Sequence, residues 1–169
     1  MNDKLKQLLS LKRAEPPEYA SRKTIVRIQR ALDLETLWVD RFPHHLLRVP
    51  GSVGYSCGYI IAEDEGVVSY VHDLAHAAVA SIRRPKTWRL HDNYGCTSDE
   101  EEIDACKLQF FWMEQFNIWD KNERDVQWIL GDYSFDCDIE DNQESTYNEL
   151  WSHLCLEGLT LARRLRVLR

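Results

Sequence analysis

The stretch Gly66-Val67-Val68-Ser69-Tyr70-Val71-His72-Asp73-Leu74-Ala75-His76-Ala77-Ala78-Val79-Ala80-Ser81-Ile82 decides how this chain is read. Val67, Val71, Leu74, Ala75, Ala78 and Ile82 recur at helical spacing, and Gly66 and Pro85 stand outside the run. His72 and His76 are about one turn apart, so both imidazoles leave the same face of one helix. Two histidines so placed grip one metal ion when a third group arrives from elsewhere. Asp73 lies between them, where the zincin pattern H-E-x-x-H has Glu, and is the candidate catalytic carboxylate. The competing reading is a pair of ordinary surface or core histidines.

Bulk properties bound the rest. At 169 residues the chain is long enough for one domain with its own core. Hydrophobic residues make up 44% and aromatics 11%, a globular composition rather than a disordered one. The net charge of −7 argues against broad binding to a phosphate backbone. The cysteines, at 57, 96, 106, 137 and 155, form no C-x-x-C pair and read as reduced thiols of a cytoplasmic protein. No apolar run is long enough to span a membrane.

Upstream of the His helix, residues 1–17 read as an amphipathic helix over 1–13 and a linker closed by Pro16-Pro17. Ile25, Ile28, Leu32 and Leu37 extend a helical stripe between Tyr19 and Phe42, with Asp33 as a cap for a second helical piece. Leu46 to Val49 is a short extended candidate closed by Pro50-Gly51, and Ser56 to Glu63 reads as a strand. A small sheet beside the His helix follows.

Downstream, Arg83, Arg84, Lys86 and Arg89 form a local basic patch over 83–89, the one place for an acidic or nucleic-acid partner. The competing reading is a solvated helix end, where cations suit the dipole. Ser98 with Glu101 three residues on makes a capping box for a helix through Phe116. Another helix is expected from Asn122 to Leu130, then an acidic loop whose spacing fails the EF-hand pattern. Residues 143–169 read as a C-terminal amphipathic helix.

The third ligand is expected from the acidic opening of the helix after Ser98. Glu102 begins the string Glu102-Ile103-Asp104-Ala105, the E-x-x-A form in which gluzincin metallopeptidases carry theirs. Glu101 and Asp104 compete, because one residue of helix rotates a side chain by about 100°.

Residues 46–112 also resemble the elongation factor P hydroxylase family, bacterial non-haem iron hydroxylases with a zincin-like helix. The likeness rests on Val49-Pro50, Tyr59-Ile60-Ile61-Ala62, Gly66 leading into Val71-His72-Asp73-Leu74-Ala75-His76, and Arg83-Arg84. It continues with Tyr94, Cys96, and Glu101-Glu102-Ile103-Asp104 followed by Lys107, Gln109 and Trp112. The resemblance implies a metal held by His72, His76 and a glutamate of the 101–102 pair. It implies oxygen-dependent hydroxylation of a protein side chain, with a translation factor as the substrate class. Asp73 departs from the family's Glu; one methylene shorter, it reaches a bound water less easily, which weakens a peptidase reading most.

The ligand set does not choose its metal. With Fe(II) a two-His, one-carboxylate triad leaves positions open for oxygen and substrate. With Zn(II) the same ligands hold a water whose pKa falls to about 7. Tyr59, Tyr94 and Arg84 are candidate substrate contacts. Two other classes compete: an HD-type phosphohydrolase using His44 or His45 with His72-Asp73, and a non-catalytic acidic interaction protein on a metalloenzyme-like fold. The expectation is a single mainly helical α+β domain over 1–169, zincin-like, with residues 46–119 as the metal-site core. The activity the resemblance implies is metal-dependent hydroxylation, with zinc-dependent hydrolysis second.

Overall fold

A computed structural model describes residues 3–47, 53–83, 98–117 and 157–164. The protein is mainly helical α+β. Helix α1 (Asp3–Leu9) is followed by a short 3-10 turn, α2 (Lys23–Leu32) and three strands: β1 (Glu35–Trp38), β2 (Val53–Ser56) and β3 (Tyr59–Ala62). Then come α3 (Val67–Arg83) and α4 (Asp99–Phe116). Residues 157–164 are also helical.

Helix α2 forms because Ile25, Ile28 and Leu32, spaced for one helical face, are fully buried while Lys23, Arg27 and Arg30 stay exposed. It stops at Asp33, which takes the left-handed conformation at φ 55°. The Asp33 N–H bonds back to the Arg30 and Gln29 carbonyls. Asp33 therefore closes one helix instead of opening another, and Leu37 belongs to strand β1. Helix α1 is likewise shorter than its leucines suggest: it ends at Leu9, and Arg13 forms a β-bridge with Val39.

The sheet has the order β1-β3-β2, with β1 parallel and β2 antiparallel to β3. The segment Ser56 to Glu63 is not one strand, because Cys57 and Gly58 turn the chain at φ 53° and 86°. Positive φ at both central residues is what a two-residue hairpin of the I′ type needs. Residues 44–46 form a turn where extended chain was expected; Arg48 and Val49 lie outside the described residues.

Alternation along β3 divides the core. Ile60 and Ala62 join the large core group with α2, α3, α4, Leu161 and Ala162. Ile61 and Tyr59 face the other side, where Leu8, Val39, Phe42 and Leu47 form a second group. Helix α3 runs through the middle. It is buried well beyond its expected stripe, with Val68, Tyr70, Ala77, Val79 and Ala80 also inside. Three alanines in four positions, Ala77, Ala78 and Ala80, suit it to close neighbours on several sides. No helix among the described residues is long and apolar enough to cross a membrane.

One polar triangle ties α3 to α2 and β1. The Gln29 side-chain amide donates to Thr36 Oγ1 at 2.9 Å and to the Tyr70 hydroxyl at 2.7 Å, and those two oxygens lie 2.6 Å apart. Burial pushes the Tyr70 hydroxyl up to about 12, partly offset by its bonds to Thr36 and Gln29. A phenol whose folded pKa exceeds its unfolded value of 10.0 stabilises the fold fully below pH 10. That contribution is lost as pH rises toward 12. We expect urea midpoints to fall across this window in wild type, and to fall less in Tyr70→Phe, which starts about 1 kcal/mol less stable.

Candidate metal centre

Helices α3 and α4 pack antiparallel. Val68 and His72 meet Gln109 at one end, and Arg83 meets Asp104 and Glu100 at the other. The start of α3 is set by Gly66, at φ 97°, where an L side chain would be strained, and by Asp64, whose carboxylate accepts the Gly66 N–H at 3.1 Å. The start of α4 is the expected cap: Ser98 Oγ accepts the Glu101 N–H at 3.3 Å. These two starting points fix which side chains face each other across the interface.

His72 and His76 leave one face of α3 with their Nε2 atoms 2.8 Å apart. Glu102 arrives from α4 and spans both rings: Oε1 lies 3.3 Å from His72 Nε2, and Oε2 lies 3.3 Å from His76 Nε2. His76 is only 5% exposed, and His72 and Glu102 are half-buried. Of the three acids that competed, Glu102 is the one brought to the rings. Asp104 turns to Arg83, and Glu101 is buried in its own surroundings at 7% exposure.

A fourth side chain fixes the chemistry of the first ring. The Gln109 amide nitrogen donates to the Val68 carbonyl at 3.2 Å and approaches Met113 Sδ at 3.8 Å. Its oxygen therefore faces His72 Nδ1, at 2.9 Å, and accepts a hydrogen bond from the Nδ1–H. With the proton on Nδ1, a neutral His72 keeps its Nε2 lone pair directed at His76 and Glu102. Gln109 is fully buried on an apolar helix face, and this pair of bonds accounts for its presence there.

Two facing ring nitrogens with a carboxylate oxygen on each call for a cation. Burial alone would lower the His72 pKa, but Cys106 and Glu102 overcome it and hold the imidazole well above its ordinary value. Asp73 is shifted in the same direction: burial pushes its carboxyl up to about 7, against the pull of His72. Among the described residues, His72, Glu102 and Cys106 form a group of ligand atoms within 4.8 Å of one another, and His76 joins through the two contacts above. The donor set of imidazole nitrogen, carboxylate oxygen and thiol sulfur fits a divalent transition metal.

The other sequence candidates fall elsewhere. Tyr59 packs on the far face of the sheet against the second core group. The strand tyrosine that touches the His helix is Tyr55, whose hydroxyl donates to the Asp73 carbonyl oxygen. A period of two explains the exchange: Tyr55 pairs with Ile60, which faces α3, and Tyr59 is one residue out of phase. His44 and His45 are exposed, and His44 packs edge-on to Phe42, so the described residues supply the phosphohydrolase scheme with no first histidine at the cluster. Of the basic patch, Arg83 is engaged by Asp104 and Glu100, while Arg84, the rest of 83–89 and Tyr94 lie outside the described residues. So do the expected helix 122–130, the acidic loop, and most of 143–169.

Gln109 and Cys106 were not singled out as site residues by spacing. The available signal was register: 102, 106 and 109 share one face of α4, the face that carries Glu102. Comparison with known proteins finds no matching family model, no matching curated protein and no matching solved structure.

Proposed function

We propose that this chain is a metal-dependent hydroxylase acting on a protein side chain, with one divalent ion held by His72, His76 and Glu102. The observation that carries the reading is the single carboxylate of Glu102 bridging both imidazoles at 3.3 Å from an adjacent helix. When bound, iron(II) in a two-His, one-carboxylate set supplies oxygen-dependent oxidation. The resemblance to the elongation factor P hydroxylases supports that chemistry and a translation factor as the substrate class.

The chain's own residues do the rest. His72 and His76 offer neutral nitrogens, and Glu102 cancels one positive charge. Gln109 holds the His72 tautomer. Two long helices hold the set rigidly, and burial of His76 keeps bulk water from that side. Asp73, with its main-chain carbonyl fixed by Tyr55, is the group to hold or accept a proton beside His72.

The test is metal analysis of untagged protein. One equivalent of iron or zinc per chain, and, with a two-electron reductant supplied, one O2 consumed per oxygen atom gained by a protein substrate, the second oxygen leaving as water, is the expected result. Protein that neither carries nor takes up a divalent metal overturns the reading. Zinc-dependent hydrolysis is the second reading, because the same three ligands would hold a water on zinc; Asp73 stands at the general-base position of the sequence pattern, one methylene short of the usual Glu. It predicts turnover without oxygen.

Gln109→Leu keeps the volume of the buried side chain and removes its acceptor. We expect metal affinity to fall about 10–100-fold, the usual effect of losing a partner that orients a ligand. The His72 ring nitrogens should also lose their fixed tautomer in nitrogen-15 spectra. Unchanged affinity would make Gln109 a packing residue only.

A further inference from the structure

We propose that Cys106 is a fourth protein ligand, its sulfur joining His72, His76 and Glu102 on the ion. The proposal rests on the reading that those three side chains hold a divalent metal. Cys106 follows Glu102 by one turn of α4, as His76 follows His72 by one turn of α3. Each helix thus contributes an i, i+4 pair; the sulfur groups with His72 and Glu102, and His76 meets those two from the other side. The sulfur lies 3.9 Å from Glu102 Oε1, within a group of ligand atoms no more than 4.8 Å apart that includes His72.

Packing alone would place a small side chain at this buried, 1% exposed position. It would not require sulfur among ligand atoms. Alanine fills the preceding core position, Ala105, so a small apolar residue is acceptable on this stretch of α4. The hydroxylase resemblance is carried by Glu102, Lys107, Gln109 and Trp112, and gives residue 106 no role.

Charge favours the assignment. A divalent ion on two neutral imidazoles and one carboxylate leaves one uncompensated positive charge in a largely buried site. A thiolate brings the sum to zero. As the sulfur–metal bond forms, the thiol proton leaves to solvent, and neither metal nor sulfur changes oxidation state.

Two consequences follow. A soft thiolate raises the preference for zinc and cobalt over iron(II) and manganese. In a four-coordinate zinc ion the set is then closed, with no position for water, as in structural sites. In a six-coordinate ion two positions remain. Cys106 ligation thus makes zinc a tight, inert occupant and reserves catalysis for metals that expand their coordination.

The experiment is titration of the metal-free full chain with cobalt(II), followed by absorption. Wild type should bind one equivalent with ligand-field bands and a near-ultraviolet thiolate-to-cobalt charge-transfer band. Cys106→Ser should keep the stoichiometry, lose the charge-transfer band and bind cobalt about 100-fold more weakly. Cys57→Ser, altered in the hairpin turn, should keep the band. Cys106→Ala serves as the second variant if the serine destabilises the core. Cobalt bound by wild type without the charge-transfer band, or a band that survives both Cys106 substitutions, overturns Cys106 ligation and leaves the three-residue site standing. No cobalt bound at all overturns both.

Discussion

Glu102→Ala is expected to lower affinity for divalent metal by more than about 100-fold, beyond what loss of an orienting partner costs. The carboxylate reaches both rings, at 3.3 Å each, so its removal takes away a ligand and the negative charge between two imidazoles at once. Neither neighbouring acid can replace it without rebuilding the helix start. Asp104 is held by Arg83, and Glu101 is buried beside the Ser98 cap. Glu100 is the control: 84% exposed and 3.6 Å from Arg83, it should lose nothing measurable on change to alanine. Equilibrium dialysis with elemental analysis of both variants checks the pair. Equal retention in Glu102→Ala and Glu100→Ala would remove Glu102 from the site.

Gly158→Ala should destabilise the protein by about 3 kcal/mol, the upper range for overpacking. In a helix the same exchange ordinarily stabilises by about 1 kcal/mol, so the sign is diagnostic. Gly158 lies in the helical segment 157–164 and packs directly on α4. A β-carbon there would collide with the Lys107 carbonyl oxygen and lie 2.5 Å from Phe111 Cβ. Backbone cannot rotate away as a side chain can. Glu157, one residue earlier, pairs with the Lys107 ammonium and holds the approach in register. Urea denaturation should show a lower midpoint with an unchanged slope. Arg163→Ala, on the exposed side, should stay within about 0.5 kcal/mol of wild type.

Much of the site is legible in the chain, and its limits are physical. The one-turn spacing of His72 and His76 needs only helical geometry, and so does the Ser98 cap that starts α4. The choice among Glu101, Glu102 and Asp104 depends on how α4 is rotated against α3, which no local pattern contains. Gln109 lies 37 residues from the ring it orients, and that pairing is set by packing alone. In the fold, the stripe Ile25, Ile28, Leu32 is genuine helix, and Leu37 prolongs it by coincidence. The break is made by Asp33 in a left-handed conformation that aspartate tolerates better than most residues. The Cys57-Gly58 turn was hidden because the residues on both sides are strand formers and Cys is an uncommon first turn residue.

The bridge from Arg13 to Val39 bears on solubility. Among the described residues strand β1 lies at the margin of the sheet, and Lys12 to Ala14 run beside its end, where the Ala14 N–H reaches the Trp38 carbonyl at 3.1 Å and the Asp40 N–H the Lys12 carbonyl at 3.4 Å. This strap, anchored by the fully buried Leu8, occupies the Trp38 carbonyl and the Asp40 N–H, two peptide groups through which another molecule could add a strand at that end of the margin. A chain shortened to begin at Glu15 would uncover that margin together with the Leu8 socket, and should form concentration-dependent aggregates while the full chain stays dispersed.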